Sequence, residues 1–305
     1  MSKISVFVAC YNYGRFLEKC LQSILSQTRK ADEILVIDDC STDNTPEIAK
    51  KFKKKITYIR QPKNLGSSKT FNIGPKMAKG DYILALSADD WLQPSMLEKE
   101  AAVLDQYPAV GLVYSQCYTV QGGKKTVIVG DAGPNSYVGR KKDFKILITR
   151  GCFIPAQTPL VRKKVYQKLG YWDVNLRHAQ DFEMWTRIAK HYPLAYLAQP
   201  LAYYRIHKKS LTNIGQWPKH LEYEHGYILK KHLKSAPIYL KKIAYFNYYT
   251  RLVQNSLNMG KPIDAAKFFT KALKLHPAKT FKLSFKSAIV DQFAKFLRGS
   301  KNGIN

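Results

Sequence analysis

The sequence predicts an α/β protein, a mostly parallel sheet flanked by helices, followed by a helical extension. Three observations carry that expectation. Through the first 115 residues, short apolar runs alternate with segments whose apolar residues recur at helical spacing. Acidic pairs and a glycine-containing turn fall directly after those runs, the place where open parallel sheets bind ligands. Beyond about residue 216 the chain becomes helical in pattern and strongly basic.

The elements follow in order. "ISVFVA" (4–9) is an unbroken apolar run, as expected of a strand buried on both faces. "GRFLEKCLQSILSQ" (14–27) places Phe16, Leu17, Leu21, Ile24 and Leu25 on one helical face, and "EILVIDD" (33–39) is a second strand. "STDNTPEIAKKF" opens a helix, with Ser41 or Thr42 as the expected cap and Pro46 in its first turn. A third strand is predicted at 56–61, a helix at 67–78 despite Gly74 and Pro75, and a fourth strand at 81–88. From about 111 the pattern changes to antiparallel strands flanking Gly122-Gly123, then a loop with Gly133, Pro134 and Gly139, and a helix over 179–192. The segment 201–212 closes this region. The expected organisation is a catalytic domain over 1–215, its halves 1–110 and 111–215, and a basic extension over 216–305.

Composition narrows the function. With 45% hydrophobic and 24% charged residues in 305, the chain can bury a sizeable core. Its formal net charge of +28 points to an anionic partner. No helix-turn-helix pattern, zinc finger or RNP-like aromatic strand is present, so nucleic acid, the reading that charge alone would favour, is not the expected partner. Five widely spaced cysteines without a C-x-x-C pair argue against a disulfide framework or zinc site and suit a reducing compartment. No apolar run approaches bilayer-spanning length, and "ISVFVAC" is too short for a signal peptide, so a cytoplasmic location is expected.

Asp89 and Asp90 end the fourth strand as two adjacent carboxylates, expected to be exposed and to hold something cationic. The bland alternative is an acidic pair capping a helix begun at Pro94.

The segments "SVFVACYNYGRFLEKCLQSILSQT", "EILVIDDCSTDNT", "NLGSSKTFNIGPKMAKGDYILALSADDW", "QDFEMWTRIA" and "YYRIHKKSLT", in this order over roughly residues 3–212, resemble the family 2 glycosyltransferases. The resemblance implies a GT-A fold, with a Rossmann-like, mostly parallel sheet, and inverting transfer from a nucleotide sugar with a divalent cation, Mn²⁺ or Mg²⁺. It places the metal on Asp90, with His207 as a further ligand, and Asp89 on the ribose or a metal-bound water. Ser87 stands where the family's acidic motif has its first carboxylate. The nucleobase pocket is expected from backbone groups around Ala9, from Tyr11 stacking on a pyrimidine, and from Asp39 accepting the N3–H of uracil or thymine. Lys69, Arg205 and Lys208 are expected near the diphosphate, and Asp38 and Asp43 are expected to shape their loop. Asp181 aligns with the catalytic base, Glu183 is its rival, and Gln180 replaces the family's Glu. Either a charge lost there or Ser87 could signal a nucleotide-sugar binder without transfer activity. The donor expected is a UDP- or dTDP-sugar, and the acceptor a glycan or lipid-linked hydroxyl in bacterial surface polysaccharide synthesis.

The extension carries 17 Lys and Arg against 4 Asp and Glu, a difference of +13. Residues 240–280 resemble one tetratricopeptide-type hairpin with Gly260 at its turn and Pro277 after it, and a lone repeat needs a partner such as a second copy of the chain. The segment 281–305 reads as a basic amphipathic helix suited to an anionic membrane surface.

Overall fold

The computed structural model describes residues 1–128, 133–139, 142–208, 210 and 221–280. The amphipathic stretch 281–305 and the end of the 201–212 segment lie outside them. The chain forms two compact units, one of Met1–Phe144 with Cys152–Leu211, the other of Lys145–Gly151 with the residues from Thr212 onward.

The first unit is built on one sheet. In chain order its strands are β1 (Ile4–Cys10), β2 (Glu33–Asp38), β3 (Thr57–Arg60), β4 (Tyr82–Ser87), β5 (Trp91–Leu92), β6 (Leu112–Gln121), β7 (Lys124–Ile128), β8 (Tyr137–Val138), β9 (Leu160–Arg162) and β10 (Leu194–Arg205). The order across the sheet is β3-β2-β1-β4-β9-β6-β10-β5, with β7 beside β6 and β8 beside β10. The block β3-β2-β1-β4 is parallel throughout, as the strand and helix alternation requires. The short strand β9 is antiparallel to both neighbours, so β6 runs the same way as β4, and β10 is parallel to β6. Thus β1, β2, β4 and β10 all end at one rim.

Helices α1 (Gly14–Leu25), α2 (Thr45–Lys51), α3 (Ser67–Met77), α4 (Met96–Gln106), α6 (Lys163–Leu169) and α7 (Gln180–His191) surround this sheet, while α5 (Asp143–Arg150) runs from the first unit into the second. Every residue of β1 is buried. Val6 and Val8 join Leu17, Leu21 and Ile24 of α1 in one core cluster. Phe7, on the other face, meets Phe71 and Trp172 edge-on at 5.7 and 6.1 Å. Each such side chain taken out of water contributes about 1.5–3 kcal/mol. Phe7 also explains the glycine inside α3: a Cβ on Gly74 would stand 2.3 Å from the Phe7 ring.

Three local features add to or alter the expectations from sequence. The residue before α2 is Asn44, not Ser41 or Thr42, and no side chain caps it; Asp43 instead accepts the Thr45 N–H. The last strand begins at Leu194, ahead of the 201–212 segment, with an irregular register around Pro200. The hairpin at Gly122-Gly123 forms with both glycines at positive φ, but β6 pairs parallel with β10 as well.

The second unit holds a π-helical turn (Leu221–His225), α8 (Gly226–Leu233), α9 (Ile238–Asn258) and α10 (Pro262–Leu275). Gly260, with φ of 67°, turns the chain between the last two, and α10 stops two residues before Pro277. Tyr249 and Phe268 stack across this hairpin.

One buried acid sets a pH dependence. Glu100 of α4 is fully buried with Ser115 as its polar neighbour, and burial holds its carboxyl well above the usual range, so it stays protonated in the folded chain. Unfolded, it loses its proton near 4.5. Above that pH the unfolded state binds fewer protons, so stability falls as pH rises, by up to roughly 1.4 kcal/mol per pH unit. Thermal melts from pH 5 to 8 are expected to show this decline in the wild type and a shallower one in Glu100→Gln; parallel curves would refute it.

Candidate functional site

Backbone hydrogen bonds lock the rim where the parallel strands end. The Asp39 N–H donates to Cys10 O at 2.8 Å, the Ala88 N–H to Ala9 O at 3.0 Å, and the Gln61 N–H to Asp38 O at 2.8 Å. Directly after β1 and β2, Asn12 and Cys40 take left-handed conformations with φ of 56° and 65°. Asparagine tolerates that region better than most side chains, and here its Oδ1 accepts the Thr42 N–H at 2.8 Å while its own N–H donates to Ser41 Oγ at 2.9 Å. The two strand-end loops are therefore tied to each other. Between them Tyr11 is 46% exposed, its ring open to a stacking partner.

The acids of the second loop divide their work. Asp38 is fully buried, accepting the Ser41 N–H and the Tyr58 hydroxyl. Asp43 accepts the Gly14 N–H at the start of α1 and the Thr45 N–H and hydroxyl, which favours its charged form. Asp39 is buried, and its two oxygens accept the Leu65 N–H at 2.7 Å and the Gly66 N–H at 2.9 Å. That anchoring of the loop before α3 was not part of the nucleobase role expected from sequence. Each oxygen keeps a second lone pair for a ligand.

Asp89 and Asp90 are not the exposed carboxylates that the sequence suggests: only 7% and 4% of their surfaces reach solvent. Nor do they cap a helix at Pro94, since α4 starts at Met96 after Ser95. Asp89 Oδ2 lies 3.0 Å from His207 Nε2, and Asp90 Oδ1 accepts the Arg205 backbone N–H at 2.9 Å. The Arg205 side chain turns back, its Nε donating to Asp89 O at 2.9 Å and its guanidinium standing over Phe16 and Trp91. The His207 ring rests against Tyr13 and Phe16. Two residues near the end of β10 thus close over two at the end of β4. Burial raises both carboxyls; His207 and Arg205 pull Asp89 back, whereas the Asp89 charge pushes Asp90 further up, well above the carboxylate range. Such a pair favours a proton or a cation between its members.

Among the described residues no group of three or more His, Cys, Asp and Glu could hold a metal ion by itself. Two adjacent buried carboxylates fit a hard divalent cation that takes its remaining oxygens from a phosphate ligand and water, as Mg²⁺ commonly does.

Asp181 sits in the first turn of α7, partly exposed, its Oδ1 accepting the Phe182 N–H at 2.7 Å. Its rival Glu183 is fully buried and paired with Arg187 at 2.7 Å, which removes it as an accessible base. Gln180 clasps α7 to the start of α3: its Nε2 donates to Ser67 Oγ at 2.8 Å and its Oε1 accepts the Ser68 hydroxyl. Sequence reading missed this clasp; the Ser-Ser pair opening a helix was its only local signal. Lys69, one residue on, is exposed on α3, and Lys208 is exposed at the turn after β10. Trp172 is core, against Tyr166 and Trp185.

The sequence profile of glycosyl transferase family 2 matches residues 5–170. An uncharacterized glycosyltransferase of Rickettsia prowazekii is 27% identical over 240 residues, 78% of this chain and 75% of that protein. One of Methanocaldococcus jannaschii is 27% identical over 252 residues, 81% and 84% of the two chains. Among solved structures, S. aureus TarS 1–349 in complex with UDP-GlcNAc superposes with a TM-score of 0.63 at 16% identity, covering 91% of this chain and 92% of that one. The match spans 49% of a longer TarS chain. Mannosyltransferase PcManGT from Pyrobaculum calidifontis, in complex with GDP-Man and Mn²⁺, gives 0.60 at 19% identity, with 95% and 82% covered. The shared fold is GT-A.

Proposed function

The chain belongs to glycosyl transferase family 2 and is a glycosyltransferase, and from that premise we propose that it transfers a sugar from a UDP-sugar, with dTDP as the variant, to a hydroxyl of a glycan or lipid-linked acceptor, inverting the anomeric centre. The observation that carries this reading is the buried Asp89-Asp90 pair, closed over by Arg205 and His207, at the rim that also bears Asp39 and Tyr11.

Asp39 accepts the N3–H of the pyrimidine, a contact that rejects cytosine, and Tyr11 stacks on the base beside the Ala9 strand end. Asp89 faces the ribose side. When bound, Mn²⁺ or Mg²⁺ neutralises charge on the leaving diphosphate, and Asp90 with Asp89 is the pair that would hold it. Lys69 and Lys208 are the exposed cations proposed for the phosphates. The acceptor oxygen attacks the anomeric carbon from the face opposite the diphosphate and gives its proton to Asp181. The bond from that carbon to the diphosphate oxygen breaks, and its electron pair leaves with the nucleotide. Gln180 in place of Glu does not remove the base, because its amide serves the clasp to α3. That supports an active transferase over a mere nucleotide-sugar binder.

TarS has been solved with UDP-GlcNAc and PcManGT with GDP-Man and Mn²⁺, which lends support to a nucleotide sugar and a cation here. Among the described residues no helix is long and apolar enough to cross a membrane. A surface-polysaccharide role at the inner membrane face, through 281–305, belongs to the same proposal, as does self-association through 216–280.

A thermal-shift series with UDP-GlcNAc, dTDP-glucose and GDP-mannose, each with and without Mn²⁺, tests the donor. A ligand at 100 times its Kd stabilises by about 2.7 kcal/mol. A Mn²⁺-dependent rise with UDP-GlcNAc and none with GDP-mannose is expected. A response to GDP-mannose alone would overturn the pyrimidine assignment.

A further inference from the structure

Beside the acidic pair lies a patch of opposite character. Trp91 follows Asp90 directly, and its indole stacks on Tyr203 of β10 with centroids 4.7 Å apart and planes 13° from parallel. Tyr203 stacks in turn on Tyr118 of β6 at 5.1 Å. Cations crowd these rings. Lys19 Nζ stands 3.7 Å from the Trp91 ring centre, the Arg205 guanidinium 4.6 Å from it, and Lys125 Nζ 5.3 Å from Tyr203. Arg15, one turn before Lys19 on α1, stands over Phe16, which it shares with Arg205.

Among the described residues no carboxylate is within ion-pair distance of Arg15, Lys19 or Lys125. Partial burial depresses the Lys19 ammonium, and the nearby charges of Arg205 and Lys125 depress it further. Cation–π contacts stabilise each charge but leave its field unneutralised. Arg205 already lies in the field of Asp89 and Asp90, so the three charges of Arg15, Lys19 and Lys125, held over Phe16, Trp91 and Tyr203, are the ones left to attract an anion. The patch lies at the β6-β10-β5 end of the sheet, and Asp39 and Tyr11 lie at the β2-β1 end, with Asp89 and Asp90 between. An anion on it approaches from the side opposite the nucleobase.

We propose that this patch, formed by Arg15, Lys19, Lys125 and Arg205 over Phe16, Trp91 and Tyr203, binds a phosphate group of the acceptor. The proposal rests on the glycosyltransferase reading above and deepens it, by making the acceptor a phosphodiester or sugar phosphate rather than a neutral glycan. The flat rings beside the cations suit a sugar or polyol next to the phosphate.

The test uses the full chain and a soluble tri(glycerol phosphate), with neutral triglycerol as comparator, titrated by NMR in low salt with and without saturating UDP and Mn²⁺. The phosphodiester is expected to bind in both conditions and triglycerol in neither. Lys19→Gln/Lys125→Gln is expected to weaken that binding at least tenfold and leave UDP affinity within twofold, while Lys19→Arg/Lys125→Arg keeps both. Unchanged binding in the Gln pair, or no binding by the wild type, would overturn the proposal. So would displacement of the phosphodiester by UDP, which would assign the cations to the donor diphosphate. If the Gln pair lowers sedimentation with phosphatidylglycerol vesicles yet still binds the phosphodiester, the patch is a membrane contact and the proposal is wrong. Failure of UDP to bind the wild type would strike the donor reading alone, because the titration without UDP stands separately.

Discussion

Asp90→Asn is expected to abolish the Mn²⁺-dependent stabilisation by UDP and to cut sugar transfer by more than about 10²-fold, beyond the cost of losing a residue that only orients a metal ligand. The amide keeps the shape of the side chain and still accepts the Arg205 N–H through its oxygen. What it loses is the second of two adjoining buried charges. In the absence of ligand the variant should melt at the same temperature as the wild type or higher, because Asp89 no longer faces a like charge when both are ionised. A lower melting temperature accompanied by an intact Mn²⁺ response would show that Asp90 is structural. Turnover equal to the wild type would remove the metal from this pair.

The second large effect is expected at Asp181. Asp181→Asn retains the bond from the Phe182 N–H but cannot take a proton, so transfer should fall by about 10²–10⁴-fold with UDP affinity unchanged. Asp39→Ala should give the reverse pattern, with weaker donor binding and a loosened loop at Leu65 and Gly66. Comparing nucleotide affinity with single-turnover transfer separates the two. Turnover of Asp181→Asn within a few-fold of wild type would send the base elsewhere. Glu183 would not be the replacement, since it is buried against Arg187.

The alternation of β1 to β4 with their helices was legible because each segment is long enough to show its period. β5, β8 and β9 were not, since two or three residues have none. The parallel pairing of β10 with β6 spans some 80 residues and leaves no local trace. At the candidate site, sequence could point to the residue types, with Asp89, Asp90, Arg205 and His207 quoted from two separate motifs. It could not show that the two motifs meet, that burial would raise the carboxyls, or that Asp39 already carries two amide bonds. Those features are long-range contacts. The same holds for the cations over Phe16, Trp91 and Tyr203, which come from α1, β7 and β10.

The position of β9 has a consequence for the order in which the molecule is made. Four parallel strands, β3-β2-β1-β4, are complete once residue 87 has left the ribosome, and β4 alone among them also pairs outside the block, with β9. The link to β6 waits for Leu160–Arg162, whose Arg162 then ties the seam by donating to Val110 O and Leu104 O. Asp90 receives its Arg205 bond later still, 115 residues after its own synthesis. Because domains fold from the N-terminus as they emerge and long-range pairing is slow, the nascent chain carries two adjacent carboxylates without their partners while the 115 residues up to Arg205 are made. The rim that carries Asp90 is the last part of the sheet to close.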